Sequence, residues 1–211
     1  GVGESATNDL VTFLREINGK ILVGGSPAQG VDLINKLGEA TPWIILLIVI
    51  ATYILLMRFF KSYLIPAKAI LLDLISIASA FGFVVFATKH FYYHLDQIEA
   101  WTLIFSFAVL FGLSMDYEVF IVSRIREAYL KSNNNEAAVI EGIENTAGVV
   151  TTAATILMGA MTGFLFGHFA GLQELGVALT VGILIDATLI RLLLLPSAMI
   201  LLGRLNWKGP A

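Results

Sequence analysis

The chain has 211 residues, of which 57% are hydrophobic and only 14% are charged, and its mean hydropathy is +0.84. These values lie outside the usual range of soluble globular domains and indicate a chain surrounded mostly by lipid. The net charge is −3 and the 13 Lys and Arg residues are scattered, which excludes nucleic acid as a partner. The sequence contains no cysteine, which excludes a disulfide scaffold, a thiol nucleophile and a zinc–thiolate site.

The amino-terminal forty residues have ordinary polarity and contain a short amphipathic helical pattern. The first residue is Gly1, and no signal-peptide pattern precedes residue 42, so we expect a fragment of a longer protein. An apolar run at residues 21–23 predicts a strand. Together with the helix that follows, it indicates that residues 1–40 are the end of an α/β extracytoplasmic domain, because so short a segment offers too little core to fold alone. A frayed tail is the alternative.

The tetrapeptide that begins at Ser26 has the pattern of a helix start. Ser26 is predicted to be the N-cap, Pro27 the first helical residue and Gln29 the partner that closes a capping box. We therefore expect a helix to begin here and to end before the first membrane span.

Five apolar stretches follow, each near or above the roughly 20 residues that are needed to cross hydrocarbon. They are residues 42–60, 66–88, 101–123, 148–167 and 174–202. The sequence therefore predicts an all-α membrane protein. Residues 41–203 form its bundle of five transmembrane helices, and residues 204–211 form a tail.

Basic residues near the ends of the spans lie almost entirely on one side of the predicted bundle. They are Arg58, Lys61, Lys68, Arg124, Arg126, Lys131, Arg204 and Lys208, whereas the opposite loops contain Lys89. The positive-inside rule then places the carboxyl terminus in the cytoplasm and the amino-terminal segment outside. The longest polar connection, from Arg124 to Thr146, contains Val139, Ile140 and Ile143 near one helical face, which predicts a helix along the cytoplasmic interface.

Small side chains recur every four residues in the fourth span. They are Thr151, Thr155, Gly159, Gly163 and Gly167. Such a stripe allows another helix to approach closely and predicts tight packing. In the fifth span Ala178 and Gly182 repeat the pattern, and the next position of that series is Asp186.

Asp116 is the ionisable residue that lies deepest in the third span. It follows Trp101 by 15 residues and precedes Arg124 by 8, so at about 1.5 Å per residue it lies roughly 22 Å and 12 Å from the two ends. A carboxylate at such depth costs about 2.5–3.5 kcal/mol even on the lenient insertion scale, which favours a functional group that binds and releases a proton. Tyr117 is predicted to assist it. The alternative is that Asp116 only fixes helix packing.

Four other polar residues in the spans are candidates for relay or packing support: Asp186, Arg191, Ser114 and Glu118. Asp186 and Arg191 are five positions apart, about 140° around an α-helix, so a direct ion pair is not expected. Asp186 is predicted to point into the bundle. Glu118 and Asp73 are assigned to the cytoplasmic boundary as interfacial or structural residues.

His90 and His94 have the four-residue spacing of a two-histidine metal site, with Asp96 and Glu99 nearby. An aromatic and polar interface belt explains the same residues, and we predict no metal. No cofactor is expected other than protons as the coupling ion.

Residues 112–127, GLSMDYEVFIVSRIRE, resemble the MmpL family of the resistance-nodulation-division transporter superfamily. The resemblance extends over about residues 21–203. It implies the last five of twelve spans, preceded by the end of the second porter domain, in the inner membrane of a bacterium. It also implies that Asp116 and Tyr117 match the second of two Asp-Tyr pairs in a central proton relay. The first pair lies outside this chain.

The leading hypothesis is therefore one membrane half of an exporter that uses the proton motive force to move lipidic or other hydrophobic molecules. Its partners are membrane lipids, the missing amino-terminal half and the porter domains, and a homo-oligomer stays open. One alternative is a non-transporting scaffold or sterol-sensing-like module, which does not need a titrating Asp116. The least favoured alternative is an intramembrane aspartyl protease that uses Asp116 and Asp186, because Asp116-Tyr117 reverses the usual Tyr-Asp order. We predict that the chain is not an enzyme.

Overall fold

The computed structural model describes residues 5–17, 23–90, 100–167 and 169–209. Helix α1 comprises Ser5–Ile17, α2 Ser26–Phe60, α3 Leu64–His90, α4 Ala100–Ser132 and α5 Asn135–Thr162. A 3-10 turn at Gly163–Phe166 follows α5. The last span joins α6, Ala170–Ile185, to a π-helix at Asp186–Leu194 and to α7, Leu195–Leu202, before a 3-10 turn at Gly203–Trp207.

Five of these helical segments are long and apolar enough to cross a membrane. They are Ser26–Phe60, Leu64–Ala87, Trp101–Ser132, Asn135–Phe166 and Gly171–Trp207. All regular structure in the described residues is helical, which confirms the predicted all-α bundle of five spans. Most of the predicted strand at residues 21–23 lies outside the described residues, so the α/β character of the amino-terminal segment stays a prediction.

Helix α2 differs from the prediction at its start and in its length. Gly25, with φ 100°, is the residue before the helix, and no side chain caps it, so the predicted Ser26 capping box is wrong. A glycine adopts this backbone conformation without strain, and the N–H of Gln29 donates to its carbonyl over 3.0 Å. The helix then runs unbroken through Pro42 to Phe60.

The connection between α4 and α5 is a two-residue turn at Asn133 and Asn134. The side chain of Asn134 caps α5 by accepting hydrogen bonds from the N–H groups of Glu136 and Ala137, over 3.0 and 3.3 Å. The predicted interfacial helix is therefore wrong, because residues 136–143 are the first turns of α5. Their apolar face packs on α4, where Val139 is buried.

The centre of the bundle is formed by α3, α4 and the α6–α7 span. Their most apolar windows are 44%, 39% and 44% buried, against 11% for the spans of α2 and α5, which therefore flank the bundle. Gly182 of α6 lies at a close approach, where an added Cβ would be 2.6 Å from Leu110 Cδ1 and 3.3 Å from Ala80 Cβ. A larger side chain at this position would require the Leu110 side chain to move.

The three glycines of the small-residue stripe in the fourth span make no close contact with another helix among the described residues. A Cβ added at Gly159 or Gly163 would have no atom within 4 Å, and one added at Gly167 would meet only the carbonyl of Phe164. The predicted packing role of these three glycines is therefore not found here. A repeat of small residues indicates that another helix can pack closely on that face of the span. Whether a helix does so depends on where the neighbouring helices lie.

The carboxyl-terminal tail packs against the helix ends. The ring of Trp207 stacks on Tyr129 with 4.5 Å between centroids, and its Nε1 donates to Asn135 Oδ1 over 2.9 Å. Asn206 is fully buried, and its Nδ2 donates to the carbonyl of Met199 over 2.7 Å. These contacts tie the end of the fifth span to the α4–α5 hairpin.

Candidate functional site

A buried cluster of charges lies where α3, α4 and the π-helix meet. Arg191 occupies its centre and is completely buried. Its Nη1 donates to Glu118 Oε2 over 2.7 Å, its Nη2 to Asp73 Oδ1 over 3.0 Å and its Nε to Asp186 Oδ2 over 3.3 Å. One planar guanidinium therefore joins carboxyl groups from three separate elements, which suits its fixed fork of five donors. We call these four residues the Arg191 cluster.

The ion pair between Asp186 and Arg191 corrects the expectation from the sequence. The prediction assumed an α-helix, in which residues five apart point in different directions. Residues Asp186–Leu194 instead form a π-helix, whose backbone hydrogen bonds join residues five apart and bring such residues onto one face. Two opposite charges at this spacing inside an apolar span were themselves the available signal, since neither charge is readily left unpaired in a membrane.

The prediction left Asp73 and Glu118 as either interfacial or structural residues. Both carboxyl groups are completely buried against Arg191, so they are not interfacial. Both residues lie inside apolar stretches, and the buried guanidinium of Arg191 provides each carboxyl group with a partner between the packed helices. Pairing between residues more than 70 positions apart in sequence leaves no local pattern, and so it could not be predicted.

Ser114 connects the carboxyl groups inside the cluster. Its Oγ lies 2.8 Å from Asp186 Oδ1 and also makes a short hydrogen bond with Asp73 Oδ1. Arg191 Nη2 donates to both the Oγ and the carbonyl of Ser114. The hydroxyl group of Ser114 therefore acts both as a hydrogen-bond donor and as a hydrogen-bond acceptor within the cluster.

A second buried cation lies beside the cluster. Lys68, on α3, is close enough to Glu118 for their charges to interact, and its Nζ donates to Asn206 Oδ1 over 3.4 Å. Two carboxyl oxygens, Asp73 Oδ2 and Glu118 Oε1, are buried and have no hydrogen-bond partner among the described residues. When all three carboxyl groups are ionised, the cluster and Lys68 together contain more negative than positive charges. Two of the carboxyl oxygens also lack a hydrogen-bond donor within the described part of the chain.

Asp116 lies outside the Arg191 cluster, on an open face of α4. Its side chain is exposed and makes no hydrogen bond or ion pair with any residue that the structure describes. Two positions separate it from Ser114, which turns it about 160° away from the cluster. Ala108 and Gly112 precede it at four-residue spacing and are exposed as well, and a Cβ at Gly112 would meet nothing within 4 Å. Tyr117, beside it, is half-buried.

The histidine pattern yields no metal site in the described residues. His90 stacks on Phe86 with 4.4 Å between ring centroids, and its Nδ1 lies 3.0 Å from the carbonyl of Phe86. His94, Asp96 and Glu99 lie outside the described residues. Among the residues that are described, no group of three or more histidine or acidic side chains is arranged to hold a metal ion.

Comparison with known proteins gives consistent matches over nearly the whole chain. The family model described as "MMPL family" matches residues 4–211. The membrane protein YdfJ of Bacillus subtilis is 35% identical over 221 aligned positions, which cover 100% of this chain and 30% of the relative. The mycolic acid-containing lipids exporter MmpL11 of Mycolicibacterium smegmatis is 31% identical over 92% of this chain and 21% of its own length. The trehalose monomycolate exporter MmpL3 of Mycobacterium tuberculosis is 33% identical over 90% of this chain and 21% of its own length.

Proposed function

The chain belongs to the MMPL family, and from that premise we propose that it is one membrane half of an exporter of lipidic molecules driven by the proton motive force. It is a multi-pass membrane protein that spans less than a third of the length of the relatives reported above. The remaining membrane half and the porter domains are the partners that complete the transporter.

The observation that carries the proposal is the exposed carboxyl group of Asp116 in the middle of a span. Lipid is a poor neighbour for it, because a carboxylate at that depth costs about 2.5–3.5 kcal/mol on the lenient scale. Ala108 and Gly112 leave the adjoining surface open. Such small residues permit a helix to approach closely, so this face fits the second membrane half, with Asp116 between the two halves.

Protonation of Asp116 supplies the coupling step. A proton that enters from outside neutralises the carboxylate, which removes its attraction for polar partners on the other half; release of the proton to the cytoplasm restores the charge. One charge that crosses 100 mV provides about 2.3 kcal/mol, enough to shift the balance between two packings. The Arg191 cluster holds α3, α4 and the last span together. A change at Asp116 therefore moves these helices as one unit.

The names of two relatives support a substrate class. These relatives are named as exporters of trehalose monomycolate and of mycolic acid-containing lipids, which supports a lipidic substrate for the transporter that contains this chain. The bacterial relatives support a location in a bacterial plasma membrane. The distribution of basic residues supports an orientation with the amino-terminal segment outside and the carboxyl terminus in the cytoplasm.

The protease alternative is disfavoured by the family and by the site. Two of the relatives reported above are named as exporters, and neither is named as a protease. Asp186 is paired with Arg191 and Ser114, whereas Asp116 is turned to the opposite side of α4. Two carboxyl groups so placed do not share a proton around one water, as an aspartyl protease requires. The Asp116→Asn experiment described next distinguishes the scaffold alternative from the transporter.

Asp116→Asn in the full-length protein is expected to reduce proton-driven efflux to the level seen after the pH gradient is collapsed. Asparagine keeps the size of the side chain but cannot bind and release a proton. The measurement uses proteoliposomes with an imposed pH gradient, a fluorescent trehalose monoester of a long-chain fatty acid as probe, and an internal pH dye. The loss is expected in both probe efflux and proton uptake.

Asp9→Asn, at an exposed position of α1, is the matched control and should leave both signals unchanged. Equal folding of the variants is checked by their elution in size-exclusion chromatography. Undiminished efflux and proton uptake in Asp116→Asn would remove Asp116 from the mechanism and favour the scaffold.

A further inference from the structure

The Arg191 cluster contains more negative than positive groups. Three carboxyl groups, those of Asp73, Glu118 and Asp186, contact one guanidinium. Lys68 provides the second cation nearby. With every group ionised, the buried assembly has a net charge of −1, which neither lipid nor the packed interior solvates. One bound proton makes it neutral.

The hydrogen bonds of Ser114 also indicate that the cluster holds one additional proton. A serine hydroxyl has one hydrogen and can donate it to one acceptor. Here its Oγ lies within hydrogen-bond distance of two carboxyl oxygens, Asp73 Oδ1 and Asp186 Oδ1. Ser114 donates to one of them, and the other contact is favourable only if that carboxyl group has a proton to donate to Oγ.

We propose that Asp73, Ser114 and Asp186 form a proton-binding site in the interior of this half of the protein, separate from Asp116. One proton is held between the two carboxyl groups, with Ser114 as the bridge. When the proton on Asp73 moves to Ser114 Oγ, the hydroxyl proton moves to Asp186, and the reverse transfer restores the first arrangement. No charge is created in either direction.

The groups around the site account for its proton. From α3, Asp73 and Lys68 face the cluster. From α4 come Ser114 and Glu118, and Tyr117 is close enough to Asp186 for their charges to interact. From the π-helix come Asp186 and Arg191. Glu118 makes the shortest of the three ion pairs with Arg191 and is the carboxyl group near Lys68, so it keeps its charge. Asp73 and Asp186 share Arg191 over longer distances and face the same hydroxyl. The proton therefore belongs to the aspartate pair.

This site does not depend on the proposed transport cycle. It makes the cluster neutral and allows it to exist between apolar helices, whatever the protein moves. A failure of the transport experiment on Asp116 would leave it untouched, and a failure of the experiment below would leave Asp116 as the proton carrier.

The test is infrared spectroscopy of the full-length protein in lipid, which detects the carbonyl stretch of a protonated carboxyl group. We expect a band at neutral pH that moves when H2O is replaced by D2O. Labelling aspartate with 13C in the unmodified protein should shift this band, whereas labelling glutamate should not. This assignment requires no substitution and does not depend on whether a variant folds.

Substitutions then identify which residues hold the proton that gives rise to the band. Asp73→Asn and Asp186→Asn should each remove it, because one neutral amide leaves two anions for two cations. Ser114→Ala should shift the band but keep it, since the proton remains and loses its bridge. Asp116→Asn, performed in parallel, should leave this band in place. A spectrum without a protonated aspartate at neutral pH, or a band of unchanged intensity in both the Asp73→Asn and Asp186→Asn proteins, overturns the proposal.

Discussion

Arg191→Met is expected to lower the free energy of unfolding by about 3–5 kcal/mol, the loss typical of removing one partner from a buried ion pair. The substitution leaves the carboxyl groups of Asp73, Glu118 and Asp186 buried without the guanidinium that contacts all three. Methionine has a similar length, so the effect reports charge and hydrogen bonding more than lost volume. The measurement is thermal or denaturant unfolding of the protein in detergent micelles or lipid nanodiscs.

Arg191→Lys should fall between wild type and Arg191→Met, because one ammonium retains the charge but not the planar fork that serves three carboxyl groups. Arg124→Met is the matched control. Its guanidinium is about half exposed and pairs with Glu127 over 2.9 Å, and an exposed pair contributes only about 0–1 kcal/mol. Adding Asp73→Asn, Glu118→Gln and Asp186→Asn to Arg191→Met should recover part of the loss. Equal destabilisation by Arg191→Met and Arg124→Met would contradict the central role of the cluster.

Gly142→Ala is expected to destabilise the α4–α5 hairpin by about 1–3 kcal/mol, the usual effect of overpacking. A Cβ at this position would overlap Ile125 Cγ1 and lie 2.9 Å from both the Cα and the N of Ile125. A side chain can change rotamer, but backbone atoms cannot move without separating the two helices. The unfolding measurement described for Arg191 detects this change.

Gly148→Ala, in the same helix, should have the opposite sign. A Cβ at Gly148 would meet nothing within 4 Å, and alanine in a helix interior is favoured over glycine by roughly 0.5–1 kcal/mol. The pair therefore separates close packing from helix propensity within one element. A stabilising effect of both substitutions would show that α4 and α5 do not approach closely at Gly142.

Hydropathy predicted the five spans because the length of an apolar stretch is a local property that the membrane thickness determines. The helix ends were harder to predict. The polar stretch between the third and fourth spans suggested a long loop, yet Asn134 caps α5 and the turn is only two residues. Polar residues outside the apolar window say little about where a helix stops when the neighbouring helix continues beside it.

Only some features of the candidate site could be predicted from the sequence. The depth of Asp116 could be read from its position between Trp101 and Arg124, since it depends only on the helical rise. Its exposure could not, because the packed face of α4 is decided by α3, α5 and α6. The joining of Asp73 to Arg191 depends on contacts between distant segments, and the pairing of Asp186 with Arg191 depends on a local departure from α-helical geometry.

The π-helix at residues 186–194 also constrains how this stretch can change in evolution. Its extra residue sets the rotational phase of everything that follows, because each residue of an α-helix adds about 100° of rotation. A single-residue deletion that restored α-helical winding would turn Trp207 away from Asn135 on α5 and Asn206 away from Lys68 on α3, their hydrogen-bond partners on other helices. Apolar exchanges at the exposed Leu189 and Leu193 leave that phase intact. The stretch therefore tolerates changes of side chain far better than changes of length.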